Sequence, residues 1–193
     1  LALAPFGEVT GVDESGQAIA WCHKRGMNNV RRIVTPQELP SGAYDWITCF
    51  DVLEHVEDDG NLLREFRRVL KPGGRLLLTV PALPILWGGE DEVSRHVRRY
   101  TKRNLLHKLQ AAGFEVHKIS YFNTLLFPAV LTLRLFNRWF RPSSWKESDL
   151  KSANPLLNSL LYRIFALERH VLRYGSLPIG VSLLAVGKSS TWP

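Results

Sequence analysis

Between Arg75 and Val80 the chain reads RLLLTV, a nearly continuous apolar run bounded upstream by Lys71-Pro72-Gly73-Gly74. A strand of that kind needs cover on both faces, which an antiparallel sheet facing water does not give it. Its neighbours in sequence supply the cover. DGNLLREFRRVL places Leu62, Leu63, Phe66, Val69 and Leu70 at helical spacing with charges between them. Before that helix, Tyr44–Phe50 (YDWITCF) predicts a strand, and after RLLLTV the stretch Thr101–Ala112 predicts a helix stopped by Gly113. Further strands are expected at Glu8–Val12, Val30–Val34, Phe114–Phe122 and within GVSLLAVGK, and a helix at SGQAIAWCHKRG with Ser15 as N-cap and Gly26 as stop. Strand, helix and strand alternate, so the fold class is α/β: a doubly wound, mainly parallel sheet with helices on both faces.

The chain of 193 residues is 45% hydrophobic, enough for one domain with a sizeable core. Its formal charge of +7 favours an anionic partner without choosing among nucleic acid, a phosphorylated metabolite and a lipid surface. Cys22 and Cys49 fall in unrelated settings, a helix and a core strand, so no disulfide is expected and a reduced, cytoplasmic compartment fits. LALAPFG carries no basic leader with a cleavage site and is not read as a signal peptide.

Four stretches taken together, VTGVDES, YDWITCFDVLEHVED, LKPGGRLLLTVP and AAGFEV, resemble the class I methyltransferases that use S-adenosylmethionine. LWGGEDEVSRHVRRYT and LPIGVSLLAVGK are similar to a bacterial branch of that family found among glycan, lipid and polyprenyl pathways. The resemblance implies a Rossmann-like sheet of seven strands with the last antiparallel. The strands read here correspond to the second through the seventh. No counterpart of the first strand or of the glycine-rich loop behind it is found, so the expectation is that the start of the domain is missing from the sequence. The organisation expected is a methyltransferase core over 1–122 and 177–193, with a helical insert over 123–176.

The resemblance places S-adenosylmethionine against several residues. Asp13, with Glu14 beside it, falls where the family holds the ribose hydroxyls. A carboxylate there can accept both hydrogen bonds, but an acid that merely favours a helix start reads the same way. The family's adenine-binding aspartate has no match. Gln37, Glu38 and Leu39 are the candidates in its place, and the first two read equally well as loop residues. Phe50, Asp51 and Val52 match the backbone beside the methionine half of the cofactor, and Glu54-His55 shapes the same wall. A metal at Asp51, Glu54 and His55 is the alternative, set aside because the family's chemistry does not usually need one. Gly73-Gly74 is read as a structural turn.

Methyl transfer from a sulfonium needs alignment, exclusion of water and, for an oxygen or nitrogen acceptor, a base. PALPILWGGEDEVSRHVRRYT, between a strand and a helix, gathers the residue types for this. His96 is the expected base, since an imidazole accepts a proton near neutral pH, with Asp91 to orient it. Trp87, Arg99 and Tyr100 are the expected substrate contacts, Arg99 by a bidentate grip on an anionic group. The competing interpretation is a structural latch, with Arg99 on a carboxylate and Tyr100 packed inward.

Two apolar-faced helices are expected within 123–176, one running to Phe140 and one over Leu156–Tyr174, with lysines and arginines outnumbering acids. Such a pair suits an anionic membrane surface, a lid over an apolar or lipid-linked acceptor, or a homodimer. Nucleic acid fits less well, because the basic residues alternate with large apolar ones rather than with a stacking platform. The function expected is methyl transfer to a small-molecule, lipid-linked or glycan-related acceptor, in the cytoplasm or peripherally on the inner face of the membrane. A non-catalytic binding module on the same fold is the alternative.

Overall fold

The computed structural model describes residues 2–140 and 155–190, without the side chains of 138–140, 155–157 and 160. It divides into two compact units, Leu1–Ser41 and Gly42–Pro193.

In the first unit, β1 (Gly11–Asp13) and β2 (Val30–Arg32) pair in parallel, joined through α1 (Gly16–Lys24). Ser15 caps α1, its Oγ accepting from Ala18 N at 3.3 Å, and Gly26 leaves the helix at φ +80°. Both strands are shorter than their apolar runs predicted. Asn29 accounts for part of this, because its side-chain amide donates to Val9 O and takes that backbone out of any ladder. Gly11 is required by close approach: a Cβ there would lie 2.8 Å from Val30 Cγ1.

The second unit contains a four-stranded sheet of order β3-β4-β6-β5, from β3 (Tyr44–Phe50), β4 (Leu70–Pro81), β5 (Phe114–Phe122) and β6 (Ser182–Ser189). β3 and β4 are parallel, while β6 runs antiparallel to both β4 and β5. Within this sheet β6 alone is reversed, as expected of the last strand. Helix α2 (Asp59–Val69) connects β3 to β4, and α3 (Gly89–Val93) and α4 (Lys102–Ala111) connect β4 to β5. Leu76, Leu78 and Val80 of β4 are fully buried, with Leu53, Leu63, Leu105, Leu109 and Leu183 in the same core. The apolar run Arg75–Val80 is thus the spine of this unit.

Lys71-Pro72-Gly73-Gly74 does not form a turn ahead of the strand. It is an irregularity inside β4: Tyr44 pairs with Leu70 and Trp46 with Arg75, so a single β3 residue opposes the whole tetrapeptide. Gly73 takes φ +76°, and a Cβ on Gly74 would lie 2.9 Å from Lys71 O and 3.2 Å from Asp45 O. Both glycines are therefore needed by the backbone.

Between β5 and β6 lie α5 (Phe127–Phe140) and α6 (Pro155–Tyr174). Helix α6 is tied to the end of β5: Glu168 Oε1 accepts from Leu125 N at 2.9 Å, and Phe165 meets Phe122 edge-on with ring centroids 6.1 Å apart. Helix α5 reaches the β4–α3 loop, where the Arg134 guanidinium lies so close that a Cβ on Gly88 would clash with it. The expected polar segment 141–154, and the basic side chains of Arg138, Arg141, Lys146 and Lys151, lie outside the described residues. Cys22 and Cys49 are both free. Among the described residues no helix is long and apolar enough to cross a membrane.

Candidate functional site

The site forms where β3 and β4 end. β3 stops at Phe50, and Asp51 takes a left-handed backbone, φ 49°, while its N–H donates to Thr79 O at 3.0 Å. That conformation is uncommon for a residue other than glycine, and aspartate tolerates it better than most. The chain then makes a single 3₁₀ turn, Leu53–His55, which buries Leu53 and Glu54 and leaves His55 exposed.

β4 runs into a second reversal at Leu83, φ 58°, and a turn at Pro84–Leu86 leading to α3. The loop after α3 is pinned back onto the sheet by three backbone bonds. Val97 N donates to Glu54 O at 2.7 Å, Tyr100 N to Pro81 O at 2.9 Å, and Leu83 N to Tyr100 O at 2.8 Å. The two strand ends therefore hold each other, and a cavity of about 390 Å³ opens between them. That volume suits a small-molecule ligand. Asp51, Glu54 and His55 line it from the β3 side, and Ser94, His96 and Arg99 from the loop after α3. Pro81, Val181 and Ser182, the first residue of β6, close it.

Asp91 organises one wall. It is fully buried, Oδ1 receives Arg99 Nε at 2.7 Å and lies 2.8 Å from His96 Nδ1, and Oδ2 receives Gly88 N at 2.9 Å. Burial alone would raise its pKa, but the bonds from Arg99 and His96 outweigh it and the carboxyl is held below the usual range. With Asp91 ionised, Nδ1 is the ring nitrogen of His96 that donates to it, which turns Nε2 toward the cavity. Arg99 is spent on this arrangement, its other contact being NH1 to Ala82 O at 3.0 Å. His96 Nε2 lies 4.0 Å from Glu54 Oε1, and the rings of His55 and His96 meet edge-on at 4.8 Å.

Glu54 is the exception in a well-paired site. Neither carboxylate oxygen has a hydrogen-bond partner. Burial first, and then the charges of Asp51 and Asp91, push its carboxyl up to about 7.

The structure brings some of the expected residues together and separates others. Asp51, His55, His96, Asp91 and Arg99 meet at this cavity, although Asp91 acts from behind His96. Phe50 and Val52 flank it as exposed side chains, 47% and 44% accessible, and are not part of its lining. Tyr100 does not reach it. Its ring is fully buried and its hydroxyl donates to Asp59 Oδ2 at 2.8 Å, so it packs inward as the latch interpretation required. Asp59 also binds Lys108 Nζ at 2.7 Å and Arg98 NH1 at 3.1 Å. Trp87 is 39% exposed and also lies outside the lining.

The remaining candidates belong to the first unit. Asp13 is exposed at the end of β1, and Oδ1 accepts from Ser15 N at 2.7 Å. Glu14 and Gln37 are exposed and Leu39 is half-buried. Glu38 Oε1 accepts from Val34 N at 2.7 Å and Thr35 N at 2.9 Å, which holds its carboxyl below the usual range and gives it a local role in the loop.

Sequence reasoning did not single out Ser94, Val181 or Ser182. They reach the cavity through the loop after α3 and through the position of β6 beside β4, and no motif marks either.

A Rossmann-like sheet with its last strand antiparallel, and a cavity at the ends of its parallel strands, defines the class I methyltransferase fold. Residues 2–119 match the profile of the methyltransferase domain family, and the chain belongs to that family. It is 37% identical over 87 residues to the ubiquinone biosynthesis O-methyltransferase of Pseudomonas paraeruginosa, covering 40% of this chain and 37% of that protein. The chain thus spans well under half the length of the curated relatives it matches first. Among solved structures it resembles an S-adenosylmethionine-dependent methyltransferase from Mesorhizobium loti, with TM-score 0.57 and 16% identity over 96% of this chain and 83% of that one. It also resembles phosphoethanolamine N-methyltransferase 2 of Haemonchus contortus, solved in complex with S-adenosyl-L-methionine, with TM-score 0.58 and 17% identity over 98% and 45% of the two chains. The family's cofactor is S-adenosylmethionine. The residues present fit its methionine half, since a cavity edged by the carboxylates of Asp51 and Glu54 suits a sulfonium and an ammonium group.

Proposed function

We propose that this chain serves S-adenosylmethionine-dependent methyl transfer to a hydroxyl of an apolar or lipid-linked small molecule. The observation that carries it is the Asp91–His96 pair on a cavity at the ends of β3 and β4, in a chain of the methyltransferase family. The O-methyltransferase name of the Pseudomonas relative supports the choice of acceptor atom.

When bound, S-adenosylmethionine supplies a methyl group on a positively charged sulfur, which departs with the bonding electron pair as a neutral thioether. The residues of this chain do the rest. Asp51 and the backbone of Phe50–Val52 hold the methionine half; the ribose contact at Asp13, in the first unit, rests on the family resemblance alone. Asp91 keeps Nδ1 of His96 protonated, so Nε2 can take the acceptor's hydroxyl proton as its oxygen becomes a nucleophile. Arg99 keeps Asp91 charged, and the pinned loop fixes His96 against the cavity.

The insert supports an apolar acceptor. Leu133, Phe136, Tyr162, Phe165 and Leu167 of α5 and α6 are all exposed, with Arg163, Arg169 and Arg173 exposed among them. Apolar side chains rimmed by arginines suit an anionic lipid surface, and α5 touches the β4–α3 loop through Arg134. We read the insert as a peripheral membrane contact on a cytoplasmic enzyme.

Calorimetric titration of the full-length protein with S-adenosylmethionine tests the first part. Saturable binding is expected, weakened in Asp13→Ala by the loss of one or two bonds worth about 1.5 to 3 kcal/mol each. No binding by the full-length protein would leave a non-catalytic module as the better description. Flotation with vesicles tests the second part: binding to anionic and not to neutral vesicles is expected, and failure with both returns the insert to packing or dimerisation.

A further inference from the structure

A buried carboxylate and two imidazoles converge on this cavity. Glu54 is completely buried yet neither oxygen is hydrogen-bonded. His96 turns Nε2 toward it at 4.0 Å, with Nδ1 already committed to Asp91. His55 stands across from His96, ring against ring. One ligand atom from each of Glu54, His55 and His96 lies within 4.8 Å of the others. The charge of Arg99 acts on Glu54 and lowers its carboxyl, but the hydrogen bonds of Arg99 go to Asp91 and Ala82. A buried carboxylate left in this state is unusual in a folded protein and asks for a cation.

We infer that Glu54, His55 and His96 form a binding site for a divalent transition-metal ion. Two imidazoles and one carboxylate suit Zn²⁺, Co²⁺, Mn²⁺ or Fe²⁺, whereas Mg²⁺ and Ca²⁺ take oxygen ligands. The arrangement around His96 points the same way. Ligating histidines commonly donate their second nitrogen to a carboxylate that fixes tautomer and orientation, and buried Asp91 holds that place. Bonds of about 2.1 Å bring ligand atoms to within about 3 to 4 Å of one another. His55, the exposed member of the set, is the side chain free to close the difference. Three protein ligands leave positions open toward the cavity, where Asp51 stands as a further carboxylate.

The chemical consequence rests on the methyl-transfer reading, although binding of the ion does not. An ion held there would act as a Lewis acid and raise the acidity of an acceptor hydroxyl bound to it, whose proton would pass to water. His96 then serves as a ligand rather than as the proton acceptor.

The test uses the full-length protein without a histidine tag, stripped by a chelator and titrated with Co²⁺ while the visible absorption is followed. One equivalent is expected to bind, Zn²⁺ to displace it and Mg²⁺ not to. Glu54→Gln and His96→Ala should each weaken binding at least about tenfold, with the folded state checked by circular dichroism. Should either fail to fold, His55→Ala provides the same readout from an exposed position, and His107→Ala on α4 should bind as the parent does. Absence of saturable Co²⁺ and Zn²⁺ binding, binding unmoved in folded ligand variants, or a site taken by Mg²⁺ instead, each overturns the assignment. Calorimetry with S-adenosylmethionine on the same samples separates the two proposals: cofactor binding without metal binding removes only the metal, and metal binding without cofactor binding removes only the methyl-transfer reading.

Discussion

Glu54→Gln offers a measurement whose sign is fixed by the structure. In the metal-free protein the Glu54 carboxyl is pushed up to about 7 from an ordinary 4.5, first by burial and then by Asp51 and Asp91. The native state therefore binds this proton more tightly than the unfolded chain does. Between pH 4.5 and about 7 it holds more protons, so its stability falls as pH rises. The stabilising contribution is complete below the unfolded value and is lost as pH passes the folded one. The interval corresponds to about 3 kcal/mol. Glutamine cannot ionise, so the variant lacks this loss. Its buried amide also lacks partners, which costs about 1 to 3 kcal/mol, but equally at every pH. Urea denaturation of both proteins at pH 5 and pH 8 in the presence of chelator isolates the effect. The variant should gain about 3 kcal/mol on the parent between the two conditions. Asp59 and Asp91 titrate below this window, because their bonds to cations and donors outweigh burial and hold both carboxyls low. A difference between parent and variant that stays constant within about 0.5 kcal/mol would refute the account, and would mean that Glu54 is ionised and paired in the native state.

Tyr100→Phe should cost about 1.5 to 3 kcal/mol of stability through the lost bond to Asp59, with cofactor affinity unchanged in the same titration. Gly180→Ala should be destabilising by about 3 kcal/mol or more, since its Cβ would lie 2.2 Å from Phe122 O and backbone must move. Asp59 works in the opposite sense to Glu54. Burial raises its carboxyl, but the bonds from Lys108 and Tyr100 lower it further, so its contribution is present at neutral pH and lost on acidification through the depressed value. Asp59→Asn should flatten the acid limb of a stability-against-pH curve.

Much of the fold was legible because its signals are local. Tyr44–Phe50 and Phe114–Phe122 appear with the bounds their apolar runs predicted. The cap at Ser15 is read from residue type alone and accepts the expected backbone N–H, while Thr101, expected as the first residue of its helix, is the cap there. Where sequence fell short, a long-range partner decided. Lys71-Pro72-Gly73-Gly74 has every mark of a turn, yet Tyr44 and Trp46 on β3 keep pairing past it and make it a bulge within one strand. The strand expected over Glu8–Val12 is shortened by an amide twenty residues away, Asn29 bonding Val9 O.

The candidate site divides along the same line. Asp91 and His96 stand five residues apart with a helical turn between them, so their bond could be expected from spacing and chemistry. The environment of Glu54 could not. Its sequence neighbours, Leu53 and His55, do not distinguish a buried carboxylate from a solvated one. Glu54 is fully buried where the N–H of Val97 holds its carbonyl and ties the loop after α3 to this turn. The same closure brings His96 to face Glu54 and turns Arg99 away toward Asp91. A loop that supplied only a base would have no need to cover a second carboxylate while committing the hydrogen bonds of Arg99 to Asp91 and Ala82. Below about pH 7 protonation spares Glu54 the cost of a buried charge; once it ionises, that cost is offset by something cationic in the cavity, and a bound metal ion or the sulfonium of the cofactor would each serve.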